Sequence, residues 1–298
     1  MPFKRVLWLV GFLLIAGSVF LFLTNHPAPT EPDEPAELPP VIFEETDTPT
    51  TTEAVIGQSV EQRDIEAYTF GTGDVSLLFV GGIHGGYEWN SILLAYEMMD
   101  YLRSHPEIIP ENVTVHVIPN LNPDGLFTAT GLEGRFTADN ITSNAMHTSG
   151  TGRFNANDVD LNRNFACKWA PESSWRGKVV DAGDSAFSEP EARALRDYVL
   201  TIEPRAVVFW HSMAGNVYAS ECENGVLPET LTLMNTYALA GKYGAVATFD
   251  AYPVTGDSEG WLASIGIPAV TVELGSRTST EWEKNRAGTE AVLEMYKE

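Results

Sequence analysis

SLLFVGGIHGGYE, residues 76–88, is an apolar run that ends in glycines, a histidine and a glutamate. The run has no polar alternation, so it predicts a strand that is buried on both faces, as the parallel strands of an α/β sheet are. Catalytic groups in such sheets gather at the carboxyl ends of the strands. The glycines let the backbone turn sharply around His84 and leave its imidazole accessible. We therefore expect a site that contains His84 and Glu88; a strand-to-helix turn with an incidental histidine fits this stretch equally well when it is taken alone.

Three further apolar runs end at polar residues in the same way. They cover residues 112–121, 205–210 and 269–272. The second run is followed by His211 and the third by Glu273. If these strands lie in one sheet with the same polarity, their carboxyl ends meet at one edge. The pattern therefore predicts that His84, Glu88, His211 and Glu273 lie together at that edge.

Other segments show the apolar spacing of helices or of a hairpin. The predicted helices cover residues 89–104, 188–200, 229–243 and 281–296, and an edge hairpin is predicted over residues 55–70. Ser188 and Glu191 have the spacing of a capping box, with Pro190 in the first turn of the helix. Strands that alternate with helices indicate a single α/β domain, which we place at residues 54–298.

The first 53 residues differ in composition from the rest of the chain. Lys4 and Arg5 precede an apolar stretch, residues 6–23, that is about long enough to span a bilayer. We predict that residues 1–23 are an uncleaved membrane anchor that holds the protein at the cell surface, outside the cytoplasm; if this segment is a cleaved signal, the protein is secreted. Residues 24–53 are rich in Pro, Thr, Glu and Asp, which predicts a disordered tether.

The charge and the cysteines exclude two kinds of site. The chain has 18 basic and 41 acidic side chains and a formal net charge of -23. Nucleic acids and anionic membrane surfaces are bound by clustered Lys and Arg, so this charge argues against both partners. Cys167 and Cys222 lack the paired spacing of a cysteine zinc site. Outside the cytoplasm they either form one disulfide or remain buried thiols.

The polar residues at the strand ends have the composition of a hydrolytic metal site. Two histidines and one carboxylate with an open fourth position are the usual protein ligands of a hydrolytic zinc ion, and His84, Glu88 and His211 fit that set. Glu273 could take the proton of the attacking water, whose pKa zinc lowers. Arg153 is the candidate for stabilising the oxyanion. We therefore predict one zinc ion per chain.

Residues 153–165, RFNANDVDLNRNF, are dense in Asn and Arg and have neither helical nor strand periodicity. Within them Arg163, beside Asn162, could hold a substrate carboxylate, because a guanidinium meets a carboxylate with two parallel hydrogen bonds. A site that requires a free carboxylate one residue from the scissile bond is the site of a carboxypeptidase.

Five segments stand in an order that resembles a known family. They are GGIHGGYEW, the NPDG of residues 122–125, the DVDLNRNF of residues 158–165, His211-Ser212 and Val272-Glu273-Leu274. Over nearly all of residues 55–298 the chain resembles the zinc carboxypeptidase family, the carboxypeptidase A-like metallopeptidases, in a membrane-anchored bacterial form. The resemblance implies a three-layer α/β/α fold with a mixed, mostly parallel central sheet. It also implies zinc on the two histidines and Glu88, with Glu273 as general base.

The resemblance further assigns residues that would contact the substrate. It implies that Arg153 stabilises the oxyanion and that Asn162 and Arg163 bind the terminal carboxylate. Tyr252 resembles the mobile tyrosine with which this family closes over that carboxylate. Ser212 would line the substrate cleft.

The metal motif departs from the family pattern in its spacing. Three residues separate His84 from Glu88, where the family usually has two. One residue must therefore bulge if both side chains are to reach one ion. Gly85 and Gly86 make such a bulge easy to form.

Only two residues in the sequence bear on which terminal side chain the substrate carries. By the resemblance, Glu259 stands approximately where the family selects the terminal side chain. A carboxylate there would favour an ammonium group, as in Lys, Arg or diaminopimelate; the alternative is that Glu259 points to solvent. Trp261 is the one tryptophan that we expect near the substrate.

We therefore predict a monomeric zinc metallocarboxypeptidase that hydrolyses the C-terminal peptide bond of peptides with a free carboxylate, with cell-wall peptides among the candidates. One alternative is a zinc amidohydrolase that acts on N-acyl amino acids; the NPDG segment and Tyr252 favour the peptidase. A second alternative is a non-catalytic receptor for carboxyl termini. The extra residue before Glu88 suggests the receptor, but a binding protein has no need of Glu273 as a base.

Overall fold

A computed structural model describes residues 51–250 and 252–298. The predicted anchor, residues 1–23, and all but the last three residues of the predicted tether lie outside the described residues. Within the described ranges, no helix is both long enough and apolar enough to cross a membrane.

Strands and helices alternate along the described chain, as predicted. The strands are β1 Thr52–Gln58, β2 Asp64–Gly71, β3 Val75–Val80, β4 Val113–Ile118, β5 Glu172–Trp175, β6 Lys178–Asp181, β7 Ala206–Ser212, β8 Asn216–Ala219, β9 Glu221–Cys222, β10 Gly225–Val226, β11 Gly244–Val246 and β12 Ala269–Leu274. The α-helices are α1 Trp89–Ser104, α2 Pro123–Thr130, α3 Met146–Ser149, α4 Pro190–Ile202, α5 Pro228–Gly241, α6 Ser258–Ser264 and α7 Trp282–Met295. Short 3₁₀ helices cover Gly85–Glu88, Pro106–Ile108, Ala138–Asn140 and Leu161–Arg163.

Eight strands form the central sheet in the order β1-β2-β4-β3-β7-β12-β8-β11. The four strands in its middle, β4, β3, β7 and β12, are mutually parallel. Antiparallel pairing joins β1 to β2, β2 to β4 and β12 to β8. The prediction of a mixed, mostly parallel sheet is confirmed, and the shared polarity of the four apolar runs brings their carboxyl ends to one edge.

Helices cover both faces of this sheet. One apolar core packs α1, α5 and α7 against one face, with Tyr237 and Trp210 among its fully buried members. A second core packs α4 and α6 against the other face around Phe165 and Leu195. Because each face of the parallel strands must be covered, the strands carry unbroken apolar sequence. The predicted three-layer α/β/α arrangement is confirmed.

Two predicted boundaries are wrong by a few residues. β1 begins at Thr52, so the last residues assigned to the tether are part of the sheet. α4 begins at Pro190, and the predicted capping box does not form. The Ser188 hydroxyl donates instead to the side chain of Glu189, while the carboxylate of Glu191 accepts from distant groups, including the backbone N–H of Val60. Ser188 and Glu191 make these contacts instead of the capping hydrogen bonds that the local sequence pattern predicted.

Cys167 and Cys222 form a disulfide across 55 residues of chain. This confirms one of the two alternatives that the sequence left open. The bond ties the segment after the Leu161–Arg163 turn to β9, which follows β8 in the chain. It therefore braces a loop region that carries several of the candidate site residues.

Candidate active site and metal centre

The three predicted metal ligands come together at the carboxyl edge of the sheet. His84, Glu88 and His211 are buried, and each offers a ligand atom within 4.8 Å of the others. The two imidazole rings are 4.9 Å apart between centroids. His84 follows β3, and His211 lies within β7, the next strand in the sheet. The predicted clustering of these residues is confirmed.

The extra residue between His84 and Glu88 is accommodated by a turn. Residues Gly85–Glu88 form one turn of 3₁₀ helix, in which Gly85 has a φ of 45°. A Cβ atom on Gly85 would lie 2.7 Å from the carbonyl oxygen of Gly152, so glycine is required there. The tighter turn brings Glu88 back toward His84, and it replaces the strand bulge that we expected.

The chemistry of this cluster fits a divalent metal. Within residues 51–250 and 252–298, the buried Nδ1 of His84 and the buried Nε2 of His211 have no hydrogen-bond partner. Such orphaned nitrogens are costly to bury unless another group, such as an ion, satisfies them. Two imidazoles and one carboxylate are a ligand set typical of catalytic zinc. Burial, followed by the charge of Arg153, lowers the pKa of His84 well below its usual value, and the neutral imidazole is the form that binds metal.

A carboxylate lies near the unpartnered nitrogen of each histidine. Oδ1 of Asp160 lies 3.8 Å from Nδ1 of His84. Oε1 of Glu259 lies 3.4 Å from Nε2 of His211, but the angle between the two groups is unsuitable for a hydrogen bond. Burial opposes protonation of His211, but Glu259 and Glu88 outweigh it and raise the pKa of His211 to about 10. Both contacts are made to the nitrogen that has no hydrogen-bond partner, so these carboxylates lie on the side of each imidazole that we assign to the ion.

Glu273 lies beside His211, with which it is paired in register between β12 and β7. Its Oε2 atom is buried and has no hydrogen-bond partner in the described part of the chain. Burial and, next, the negative charge of Glu88 raise the pKa of Glu273 to about 7. A carboxylate that titrates near neutrality suits a general base. Its role as that base stays a prediction.

Arg153 is held in place by two neighbours. Its Nη2 donates to Oδ2 of Asp160 at 2.9 Å, and its guanidinium lies 4.7 Å from the ring centroid of Trp175. Nη1 is 3.8 Å from Oε1 of Glu88, which places the charge beside the metal ligands. A fixed cation at this point could stabilise an oxyanion. Its role also stays a prediction.

Asn162 and Arg163 lie on the 3₁₀ turn that opens toward α6. The Asn162 side-chain oxygen accepts from the backbone N–H and the hydroxyl of Ser258, at 2.9 and 3.0 Å. Arg163 donates to the carbonyl of Asn162, and its buried Nε has no acceptor among the residues that the structure describes. Arg163 therefore has a hydrogen-bond donor to offer to a carboxylate that enters the cavity.

Tyr252 and Ser212 differ in the solvent exposure of their side chains. Tyr252 is 43% exposed and packs edge-on against Phe249, with the ring centroids 4.8 Å apart. Ser212 is buried: its hydroxyl donates to Asn90, and its backbone N–H donates to Glu88. Tyr252 is thus accessible at the rim of the cavity, whereas Ser212 supports the metal ligand as well as lining the cleft.

Glu259 does not point to solvent. It is 3% exposed; Oε1 accepts from the hydroxyl of Thr271 at 2.8 Å and Oε2 from that of Ser258 at 2.9 Å. Asp257, which caps α6, lies close enough that its pKa is raised to about 6 by burial and by the charge of Glu259. The cavity therefore has an acidic wall here.

The tryptophan that we expected near the substrate lies elsewhere. Trp261 is part of the core, where it packs against the rings of Phe165 and Phe187 at 5.7 and 5.3 Å. Trp175 lines the cavity in its place. It lies on the short hairpin β5–β6, whose position relative to the sheet has no local signature in the sequence.

All ten predicted site residues line one cavity of about 850 Å³. Three residues that contact Arg153 or Glu88 were not predicted from the sequence: Asp160, Trp175 and Arg277. Asp160 stands two residues before Asn162, and a carboxylate so close to a candidate site is a signal that could have been used. Arg277 follows β12 after a gap of two residues, and nothing in its local sequence indicates that it turns back to Glu88.

Comparison with known proteins identifies similar sequences. A family model described as "Zinc carboxypeptidase" matches residues 44–288. The gamma-D-glutamyl-L-diamino acid endopeptidase 1 of Lysinibacillus sphaericus is 25% identical over 246 residues, which are 75% of this chain and 60% of that protein. The murein peptide amidase A of Escherichia coli K12 is 29% identical over 139 residues, 43% of this chain and 54% of the relative. The chain thus spans less than two thirds of the length of these relatives.

Solved structures share the fold. The murein-tripeptide amidase MpaA of Escherichia coli O157 aligns with a TM-score of 0.56 and 24% identity, over 81% of this chain and 90% of that one. The carboxypeptidase A of Helicoverpa armigera aligns with a TM-score of 0.62 and 20% identity, over 83% of this chain and 70% of that one. At these identities the likeness establishes the architecture alone.

Proposed function

The chain belongs to the zinc carboxypeptidase family, and we propose that it is a zinc-dependent hydrolase that cleaves the amide bond before a C-terminal diamino acid in cell-wall peptides. The observation that carries this proposal is the pairing of opposite charges at one end of the cavity. Within the described residues, Nε of Arg163 has no acceptor and is available to a terminal carboxylate, and the buried Glu259 with the half-buried Asp257 supplies an acidic wall for an ammonium group. The printed names of the endopeptidase and amidase relatives support the same class of bond.

Each of these residues has a separate role in the proposed reaction. A zinc ion held by His84, Glu88 and His211 would supply a Lewis acid and lower the pKa of water. Glu273 takes a proton from the attacking water and gives it to the leaving nitrogen as the C–N bond breaks. The hydroxyl remains on the acyl carbon, so the products are a carboxylate and a free amine. Arg153 donates hydrogen bonds to the oxygen that becomes negative.

The binding residues would fix the terminal amino acid. Arg163 and Asn162 hold its α-carboxylate, and Tyr252 closes over it from the exposed rim. Glu259 and Asp257 accept hydrogen bonds from a side-chain ammonium group. The attraction between these opposite charges is stronger in a buried site than in water. The receptor alternative was suggested by the extra residue between His84 and Glu88. That residue fits within the 3₁₀ turn Gly85–Glu88, so it no longer argues for the receptor.

A direct test uses the purified, zinc-loaded protein and peptides that end in diaminopimelate, Lys or Phe. Mass spectrometry follows the loss of one terminal residue, with and without a chelator. We expect chelator-sensitive cleavage that is fastest for diaminopimelate. Cleavage of N-acyl amino acids with no cleavage of peptides would favour the amidohydrolase. A preference for Phe would overturn the assignment of Glu259.

We also propose a location outside the cytoplasm, where cell-wall peptides are found. Two features support it: the apolar segment of residues 6–23 behind Lys4 and Arg5, and the disulfide between Cys167 and Cys222. Disulfides persist in oxidising compartments and are rare in the cytosol. Protease accessibility on intact cells tests this proposal, and full protection of the protein would contradict it.

A further inference from the structure

A second cavity lies beyond the carboxyl end of β4, and it has no part in the proposed reaction. It has a volume of about 470 Å³. Its walls come from the turn between β1 and β2, the start of β2, α1, and the segments that follow β4 and α2. Of the residues that the structure describes, none lines both this cavity and the active-site cavity. We call it the β4 cavity.

The turn between β1 and β2 is fixed by a buried carboxylate. Asp124, which is 1% exposed, accepts from the hydroxyl of Ser59 at 2.6 Å and from the backbone N–H of Glu61 at 2.9 Å. Its Oδ1 also accepts from Nη1 of Arg63 at 2.7 Å. This wall of the β4 cavity is therefore ordered before any ligand arrives, which lowers the entropy cost of binding.

Two buried side chains of the β4 cavity have hydrogen bonds to offer. Tyr96 is 4% exposed and Asn120 is 8% exposed. Oδ1 of Asn120 accepts from the backbone N–H of Asn122 at 3.2 Å, so the amide oxygen faces the backbone and the amide nitrogen is left for the cavity. Among the described residues, neither this nitrogen nor the Tyr96 hydroxyl has a partner. Because an unpartnered buried polar group is costly, both point to a ligand with an acceptor oxygen.

Acidic side chains outnumber basic ones around the β4 cavity. The ionisable residues that line it are Glu61, Asp64, Glu66, Glu133 and Arg63. The guanidinium of Arg63 donates to Glu61, to Glu133 and to the buried Asp124, so its charge is balanced within the wall. The remaining negative charge favours a cation in the cavity.

Glu66 is the carboxylate best placed to hold that cation. It is half-buried, and its Oε2 accepts from the hydroxyl of Tyr68 at 2.9 Å. Its Oε1 has no partner in the described part of the chain. Asp64, by contrast, is exposed and accepts from the side-chain amide of Gln58. The charge of a half-buried group is screened less than that of an exposed one, so we assign the cation to Glu66.

The β4 cavity suits an organic cation better than a metal ion. Within residues 51–250 and 252–298, the one group of three His, Cys, Asp or Glu side chains with ligand atoms within 4.8 Å of one another is the zinc site. The carboxylates of the β4 cavity therefore do not converge on an ion. Pro119, Pro123 and the ring of Tyr96 add apolar surface, and the volume is that of a small-molecule site.

We propose that the β4 cavity binds the amino terminus of a peptide, through its ammonium group and the carbonyl oxygen of its first residue. The ammonium group donates to Glu66, and the carbonyl oxygen accepts from the Asn120 amide and the Tyr96 hydroxyl. A free amino acid would bring a carboxylate to the acidic rim and is disfavoured there. This binding site is separate from the active site, and it stands whether or not the proposed reaction is correct.

The test measures calorimetric binding of L-alanyl-L-alaninamide to the zinc-loaded protein. This peptide has the ammonium group and the carbonyl but no terminal carboxylate, so Arg163 does not hold it. We expect a Kd of about 1 mM. N-acetyl-L-alanyl-L-alaninamide lacks the ammonium group and propylamine lacks the carbonyl, and each should bind about tenfold more weakly or worse. No binding of the first peptide at about 10 mM, or equal binding of its acetylated form, would overturn the inference.

Two variants place the bound peptide in the β4 cavity. Glu66→Gln removes the charge and should weaken binding about tenfold, and Tyr96→Phe removes only the hydroxyl and should weaken it about fivefold. Glu66 lies at the rim of the cavity, so its result stands even if Tyr96→Phe does not fold. Glu283→Gln, on the exposed face of α7, and Tyr101→Phe, elsewhere on α1, are the matched controls and should bind as the wild type does.

Three results with these variants would contradict the assignment. Unchanged binding in Glu66→Gln would show that the peptide lies elsewhere. Binding that is lost in Arg163→Met but kept in Glu66→Gln would place the peptide in the active site. Tight calcium binding that depends on Glu66 would identify a metal site instead.

Discussion

The central sheet buries histidines in two different settings. His116 lies in the middle of β4, with Nδ1 2.8 Å from the hydroxyl of Tyr198 and 3.3 Å from that of Thr69. Burial alone lowers its pKa, to about 4. His84 and His211 lie at the strand ends, each with a nitrogen that lacks a hydrogen-bond partner in the described ranges and with carboxylates nearby. Burial of a histidine is therefore no mark of a site, whereas an orphaned nitrogen among carboxylates is.

The largest effect is expected from exchanging a histidine in each setting. His211→Ala should remove bound zinc and reduce kcat/KM about ten-thousandfold or more, because the ion's charge stabilisation is worth several kcal/mol. His116→Gln should keep both the zinc and the activity. Metal analysis and steady-state kinetics on the two variants check this. Loss of zinc from His116→Gln would contradict the distinction between the core histidine and the metal-binding histidines.

The next effect separates proton transfer from metal binding at the same edge. Glu273→Gln should retain zinc and lower kcat about a thousandfold, because a general base contributes roughly two to four orders of magnitude. Stoichiometric zinc in the inactive variant is the informative result. If the variant keeps more than a tenth of the wild-type kcat, another group accepts the proton.

A smaller effect is expected at the end of the cavity that binds the terminus. Arg163→Met should raise KM about 30-fold for peptides with a free carboxyl terminus, because hydrogen bonds to a charged group are worth about 1.5–3 kcal/mol. The corresponding peptide amides, which lack the carboxylate, provide the control and should be bound alike by both proteins. An equal rise in KM for the amides would contradict the assignment.

The smallest effect concerns stability and depends on pH. The pKa of His116 is about 4 in the folded protein and about 6.5 in an unfolded chain. As the pH falls below about 6.5, the unfolded chain binds a proton first, so the folded state loses stability until the pH reaches about 4. Between pH 7 and pH 5 this costs about 2 kcal/mol. Other shifted groups are common to both proteins, so the test is the difference between them: urea unfolding at both pH values should show a loss about 2 kcal/mol larger in the wild type than in His116→Gln. Equal losses would show that His116 makes no such contribution.

The strand-end residues were predictable because their signal is local. An unbroken apolar run followed by a polar residue indicates both the strand and the point where it ends, which located His84, His211 and Glu273. The four predicted helices, α1, α4, α5 and α7, lie within two residues of their predicted bounds at each end, whereas the shorter α2, α3 and α6 were not predicted. The error at α4 arose because Glu191 contacts residues far away in the sequence, which a capping pattern does not reveal.

The other half of the site could not be derived from periodicity. Arg153, Asn162, Arg163 and Tyr252 lie on turns and loops. The chemistry of arginine suggested roles for Arg153 and Arg163, and only the resemblance to a family assigned a role to Tyr252. Arg277 had no motif at all, because its position depends on how its loop packs on α1. Contacts of this kind join residues almost two hundred positions apart, and no local pattern encodes them.

The position of β12 also orders events during synthesis. β12 lies between β7 and β8, both of which leave the ribosome before it. Until residue 274 emerges, β7 and β8 each present an open edge, which is the form most exposed to wrong pairing. The growing chain already contains both metal-binding histidines, but it receives Glu273, the proposed proton acceptor, only with β12. By the proposed mechanism, completion of the sheet and the onset of hydrolytic activity are one event, and we expect a nascent chain to be inactive before it has folded.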